Sequence, residues 1–133
     1  MTPIDSRKAF EILVKSIPGM EESWKEYVKK EYKNGEQPEF NYLDISEINS
    51  IIIEKFKNDQ TVGFDQFWSE VDYLINNGDS FTSELMIIGL IEGIQNKAGW
   101  EKLNYYSGFD KWLKPTTKKA WDDLIDFWEK ERN

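Results

Sequence analysis

Apolar side chains recur at the spacing of an α-helix along nearly the whole chain, whereas the alternation typical of a β-strand is almost absent. Between Phe10 and Ile17, for example, they fall at positions i, i+3, i+4 and i+7 and therefore share one helical face. Segments rich in Gly, Pro, Asn and Asp separate about six such patterns. The sequence therefore predicts an all-α fold of about six helices, arranged as antiparallel hairpins in a compact bundle or a short irregular helical stack.

The turn signals give approximate bounds for these helices. Asp44 and Glu47 have the spacing of a capping box, so the third helix is predicted to begin near Asp44. The fifth helix is apolar on nearly every side, which is typical of a helix in the centre of a fold. The first predicted helix ends at residues 16–19, and the next four span about 20–34, 44–57, 64–77 and 80–96.

The last third of the chain combines a looser segment with one more helix. Residues 97–115 contain two glycines and end in a proline, so no regular helix is expected there. The final helix is predicted to begin after Pro115, with Thr116 or Thr117 as its cap. Its predicted buried face consists of Trp121, Leu124, Ile125 and Trp128.

The composition excludes several classes of chemistry. The chain has no cysteine and no histidine, which rules out disulfides, thiol nucleophiles, zinc fingers and Ser-His-Asp triads. Its longest apolar run, Leu85–Ile88, is far shorter than the roughly 20 residues that span a bilayer, and no secretory signal is visible at the N-terminus. We therefore expect one domain over residues 1–133, located in the cytoplasm.

Paired carboxylates are the only catalytic groups present in quantity. Asp122, Asp123 and Asp126 form one such group, and Asp65 and Asp72 form another. Carboxylates three or four positions apart share a helical face and could in principle bind a divalent ion or act as acid and base. The chain lacks the glycine-centred oxygen pattern of a calcium loop, and it lacks the glycine-rich loops that bind nucleotide phosphates. The favoured interpretation is a solvated helix face, and we expect no enzymatic activity, catalytic residue, metal or cofactor.

Negative charge is concentrated in the middle of the chain. Residues 34–96 hold 12 acidic and 2 basic side chains, a net charge of −10, whereas residues 1–33 and 97–133 each sum to +1. The overall charge of −8 disfavours binding to nucleic acid or to an anionic membrane. A basic protein partner is the alternative that such a field favours, because opposite charge accelerates the encounter.

Two sets of side chains are predicted to contact that partner. Asp65 and Asp72 lie two turns apart on the predicted fourth helix, and Asp79 follows at its end, which forms an acidic row. Residues 100–112 are rich in aromatic side chains, and aromatic residues often anchor protein interfaces. The predicted partner-binding residues are Asp65, Asp72, Asp79, Trp100, Tyr105, Tyr106 and Trp112.

Glu92 is unusual because it lies within the most apolar predicted helix. It shares a helical face with Gly89, Gly93 and Asn96. We expect the glycines to admit a neighbouring helix, with Glu92 and Asn96 as buried polar residues that satisfy backbone donors. The alternative is that Glu92 is an acid with a raised pKa in a pocket.

The sequence between residues 64 and 130 resembles small acidic helical bacterial proteins. The resemblance is carried by Asn77-Gly-Asp, by residues 88–96, and by residues 113–121 followed by Phe127-Trp128. Several members of that group are encoded beside secreted polymorphic toxins and are regarded as immunity proteins. The resemblance implies a helical protein that binds and neutralises a cognate toxin.

Together, these features predict a non-enzymatic protein that inhibits a basic toxin domain through the acidic surface of residues 34–96. A helical adaptor or regulatory module that binds another protein or a peptide is the alternative. A toxin gene immediately upstream would favour the first, and its absence the second.

Overall fold

In a computed structural model, which describes residues 2–132 and the side chains of residues 2–129, the chain is all-α as predicted. Its described part contains six helices and no strand beyond an isolated parallel bridge between Ile4 and Gly78. A short 3₁₀ turn, Asp110–Trp112, precedes the last helix. The helices are α1 Ser6–Ser16, α2 Met20–Glu31, α3 Tyr42–Lys57, α4 Phe64–Asn77, α5 over residues 80–100, and α6 Pro115–Arg132.

The central helix of the fold is α5. It is continuous from Ser80 to Trp100, with a wider π-type segment at Leu85–Glu92 between two α-helical parts. It packs against α1, α3, α4 and α6, as its apolar composition predicted. The helix extends four residues past the predicted end at Asn96, because Ala98 is fully buried and continues its core-facing side.

The helices form a compact bundle rather than a stack. Helix α1 packs against α4 as well as α2, and α4 also packs against α6, so contacts extend beyond sequence neighbours. Helix α3 packs against α5 rather than forming a hairpin with the following α4. The largest fully buried side chains are Trp68, Trp121, Phe10, Phe64, Phe67 and Phe109.

The beginning of α3 differs from the prediction. Asn41, not Asp44, is the N-cap, and Asp44 occupies the third helical position of a reciprocal capping box. Asp44 is fully buried, and its Oδ1 accepts hydrogen bonds from the hydroxyls of Tyr27 (2.8 Å) and Tyr32 (2.7 Å). Its Oδ2 accepts from the backbone N–H groups of Phe40 (2.7 Å) and Asn41 (3.4 Å). One carboxylate therefore joins α2, the following loop and α3.

We expect this cluster to delay the alkaline titration of the native protein. Burial, followed by the hydrogen bond to Asp44, raises the pKa of both Tyr27 and Tyr32. Because their folded pKa values are raised, their contribution to stability is complete below the unfolded value of about 10 and is lost as pH rises through the folded values. Tyrosinate absorbance of native and denatured protein measures the effect.

The matched control for this titration is the variant that carries both Tyr27→Phe and Tyr32→Phe. It should lose less stability than the parent protein above pH about 10. Superimposable native and denatured titration curves in the parent protein would contradict the prediction.

Candidate functional site

The acidic charge of residues 34–96 is largely uncompensated on the folded surface. Among the ion pairs between described side chains, a single one, Lys114–Asp65 at 2.8 Å, involves an acidic residue of this segment. Lys57, one of its two basic residues, pairs with Glu101 outside it. Each of the remaining described ion pairs joins two residues of the same terminal segment, either residues 1–33 or residues 97–133. The negative field of the central segment therefore reaches solvent.

The predicted acidic row is only partly available at the surface. Asp65 is exposed, whereas Asp72 and Asp79 are half-buried and accept internal hydrogen bonds. Asp72 accepts from the backbone N–H (2.7 Å) and the hydroxyl (2.9 Å) of Thr117, so α4 supplies the cap that Thr116 or Thr117 was predicted to provide for α6. Asp79 caps α5 by accepting from the Thr82 N–H at 2.8 Å. Asp72 and Asp79 thus stabilise helix starts.

A stripe of α5 remains exposed despite the apolar composition of this helix. Phe81 and Ile88 are 44% and 42% exposed, and Trp100 at the end of the helix is 87% exposed. Polar residues lie between them, and successive members are three or four positions apart; two of these polar residues, exposed Glu84 and half-buried Glu92, are acidic. We call this the α5 stripe, and it consists of Phe81, Glu84, Ile88, Glu92, Asn96 and Trp100.

The α5 stripe ends in an open cleft of about 770 Å³. The C-terminal half of α5, the loop after it and the last turns of α6 form its walls. A hydrogen bond from Trp121 Nε1 to the Tyr105 carbonyl (2.9 Å) fixes the loop to α6. The aromatic side chains of the cleft are Trp100, Tyr105 and Trp128, and its charged ones are Glu92, Lys102 and Glu129.

The four aromatic residues predicted to bind a partner have different environments. Trp100 and Tyr105 line the cleft, and half-exposed Tyr106 stacks on Tyr105 with ring centroids 4.6 Å apart. Hydrogen bonding to Tyr105 and to the Glu129 carboxylate raises the pKa of Tyr106. Trp112 is half-buried and packs edge-on against Phe64, at 4.9 Å between centroids. Trp112 therefore belongs mainly to the packing of the bundle.

Trp128 was predicted to be buried, and this is wrong. The side chain is 40% exposed and lines the cleft. It lies on the same side of α6 as half-buried Ile125, beyond the part of the helix that the core covers. The predicted helical face is present, but it extends past the elements that could bury it.

The prediction that Glu92 and Asn96 are buried polar residues is also wrong. Asn96 is exposed, Glu92 is half-buried, and both line the cleft. Helix α3 packs against Gly89 and Gly93 but does not cover Glu92 and Asn96. The location of Glu92 at a cleft corresponds to the geometric part of the alternative that the sequence left open.

The predicted close approach at Gly89 and Gly93 is confirmed. A Cβ at Gly89 would lie 3.0 Å from Ile45 Cγ2, and one at Gly93 would collide with Asn49 Nδ2, so α3 lies directly against both glycines. Asn49 and Gln95 are the buried polar residues here, and sequence reasoning missed them. Asn49 Nδ2 donates to the Gly89 carbonyl (2.9 Å), and Gln95 Nε2 donates to the Trp121 carbonyl (3.0 Å).

Two of the carboxylates of α6 form ion pairs with lysines of the same helix. Asp122 and Asp123 each pair with a lysine one turn earlier, Lys118 and Lys119, at 2.9 Å. In the described part of the chain, no group of three or more acidic residues is placed to hold a metal ion. Nor does any described helix have the length and apolar character needed to cross a membrane.

Comparison with known proteins gives one match. Residues 10–129 match a family described as a domain of unknown function, DUF7674. Neither the search of curated proteins nor the search of solved structures found a match. The matched range includes all six helices in whole or in part, together with the cleft.

Proposed function

The chain belongs to the DUF7674 family, and we propose that it is a non-enzymatic protein-binding protein of the immunity type, which neutralises a basic toxin domain through the α5 stripe and its cleft. The observation that carries this proposal is the uncompensated acidic surface next to exposed aromatic side chains. The first property suits a basic partner, and the second suits a stable interface.

The charge distribution supports fast association with a basic protein. The net charge of −10 in residues 34–96 coincides with a surface on which described cations neutralise few of the carboxylates. Glu84 and Glu92 place two of these carboxylates on the α5 stripe itself. Opposite charge on a partner would accelerate diffusional encounter, and the acceleration would fall with ionic strength. Rapid capture suits an inhibitor that must act before damage is done.

The aromatic side chains of the stripe support a long-lived complex. Trp100 is 87% exposed, and a tryptophan that is exposed in this way can bury a large apolar area against a partner. Phe81 and Ile88 add apolar area along the same helix. Burial of such side chains slows dissociation, whereas peripheral charges mainly set the association rate. The two properties can therefore be separated by mutation.

The function is tested by asking whether the gene immediately upstream encodes a toxin domain and by co-expressing any such domain with this protein. Cells that produce the toxin alone should stop growing, and cells that also produce this protein should survive. Failure to protect, with both proteins present at comparable levels, would contradict the immunity proposal. A neighbouring gene for a non-toxic protein that binds the α5 stripe would instead support the adaptor alternative.

Replacement of residues on the α5 stripe should change the two rate constants of the complex separately. Trp100→Ala is expected to weaken affinity about tenfold, mainly through faster dissociation. The pair Glu84→Gln and Glu92→Gln should slow association and flatten its dependence on salt. Surface plasmon resonance at several salt concentrations measures both effects.

Each of these variants has a matched control on a different face of the protein. Tyr73→Ala removes an aromatic side chain of α4 that is 44% exposed. The pair Glu22→Gln and Glu26→Gln changes the net charge equally on exposed positions of α2. If the controls alter binding as much as the stripe variants do, the α5 stripe is not the interface.

A further inference from the structure

The cleft at the end of the α5 stripe has the chemistry of a site for one cationic, planar group. We propose that it binds an arginine side chain of the protein partner, with the guanidinium against the aromatic walls. This inference rests on the proposed function, because it names the group through which a basic partner would be held. It adds a ligand class and a set of residues that the charge argument alone does not supply.

The aromatic walls provide the first part of the argument. Trp100 comes from α5, Tyr105 from the following loop and Trp128 from α6, so aromatic surface borders the cleft on three elements. The faces of aromatic rings attract cations, and arginine can also stack on them through its flat guanidinium. At about 770 Å³ the cleft is larger than one side chain, so it also has room for the backbone that carries the arginine.

The charges of the cleft provide the second part. Glu92 on α5 and Glu129 on α6 contribute carboxylates to the cleft from two different helices. Lys102 is the one cation among the described residues that line the cleft, so acidic groups outnumber basic ones. A guanidinium in the cleft would find a carboxylate acceptor on each of the two helices, whereas the excess of negative charge would repel an anion.

Gln95 provides a third, independent observation. Its side chain is only 5% exposed, yet it lines the cleft. The bond from Nε2 to the Trp121 carbonyl at 3.0 Å holds the amide in one orientation. The oxygen of this amide, Oε1, is a neutral hydrogen-bond acceptor in a residue that lines the cleft. The planar guanidinium of arginine has five N–H donors, so it can bind this oxygen and a carboxylate at the same time. A lysine ammonium is less suited to such a double contact.

The test uses the full protein and three short peptides, without any toxin. The probes are acetyl-Gly-Arg-Gly-amide, the same peptide with lysine, and the same peptide with citrulline, which is nearly isosteric with arginine but uncharged. Binding is followed through the indole N–H resonances in two-dimensional NMR, and Trp100→Phe and Trp128→Phe assign the two relevant signals. We expect saturable shifts of both signals with arginine, weaker binding of lysine and no saturable shift with citrulline.

Substitution of one carboxylate tests the electrostatic part of the site. Glu92→Gln should weaken binding of the arginine peptide by about tenfold, as expected for loss of a charge-assisted hydrogen bond. The control is Glu84→Gln, which makes the same charge change on the same helix but lies outside the cleft. Equal effects of the two substitutions would show that only the general field matters and would overturn the proposal.

The remaining outcomes separate this inference from the proposed function. Absence of shifts with arginine, equal shifts with citrulline, or shifts confined to other tryptophans would each overturn the arginine site. If Trp100→Ala still weakens toxin binding in that case, the protein-binding function stands without it. If the arginine peptide binds as described but no toxin is neutralised, the site stands and the immunity function fails.

Discussion

Replacement of Asp44 by asparagine is expected to lower the free energy of unfolding by about 3 kcal/mol, although the two side chains have nearly the same shape. Asp44 is fully buried and accepts four hydrogen bonds. The amide oxygen of asparagine could keep the bonds from Tyr27 and Tyr32. Its amino group would then face the N–H groups of Phe40 and Asn41. All three groups are hydrogen-bond donors, so both backbone N–H groups would lose their acceptor.

This prediction is measured by urea denaturation followed by tryptophan fluorescence. Asp59→Asn is the matched control, because it makes the same chemical change at an exposed residue. Asp59 has a φ of 57°, a left-handed conformation that asparagine adopts readily, so its replacement should change stability by less than about 0.5 kcal/mol. Equal stabilities for the two variants would mean that the buried carboxylate is not needed to join α2 to α3.

The helices of this fold could be predicted because their signals are local. The apolar spacing and the Asn-Gly-Asp turn gave Phe64–Asn77 with the bounds that the structure has. The roles of Asp44 and Asp72 could not be predicted in this way, because their partners come from other elements. Asp72, for example, binds Thr117, which is 45 positions away in the chain. A carboxylate on a helix face gives no sequence signal that separates such a cap from a solvated charge.

The candidate site was predictable in part. Trp100 and Glu92 attracted attention through their residue types, and both line the cleft. The places of Trp128 and Gln95 in the cleft could not be predicted. They depend on how far α6 extends past the core and on which side of α5 is covered by α6. Apolar composition predicted that α5 is central, but it did not reveal that its four neighbouring helices leave a stripe of this helix uncovered.

The contact between α3 and α5 leads to a second large prediction, in which the effect of one substitution changes sign. Gly93 has helical backbone angles, φ −60° and ψ −41°, so alanine is compatible with its conformation and should gain about 1 kcal/mol in helix propensity. In the native protein, however, its Cβ would collide with Asn49 Nδ2. We therefore expect Gly93→Ala to destabilise the protein by about 2 kcal/mol.

In a protein that already carries Asn49→Ala, the same Gly93→Ala change should be stabilising. The collision is then absent, and the propensity gain of up to about 1 kcal/mol remains. Asn49→Ala alone should cost about 1 kcal/mol for the lost bond to the Gly89 carbonyl. A double-mutant cycle from chemical denaturation should therefore give a coupling energy of about 2–3 kcal/mol, typical of side chains in direct contact.

Gly99→Ala on the same helix is the control for this cycle. The nearest atom to its added Cβ would be Tyr105 Cε1 at 3.5 Å, an ordinary contact, so its effect should be small and equal in both backgrounds. A Gly93→Ala effect of the same sign with and without Asn49 would mean that α3 does not lie against this turn of α5. The contact of α3 with Gly89 and Gly93 determines which side of α5 is covered and which side faces solvent. The cycle therefore also tests the orientation of the α5 stripe.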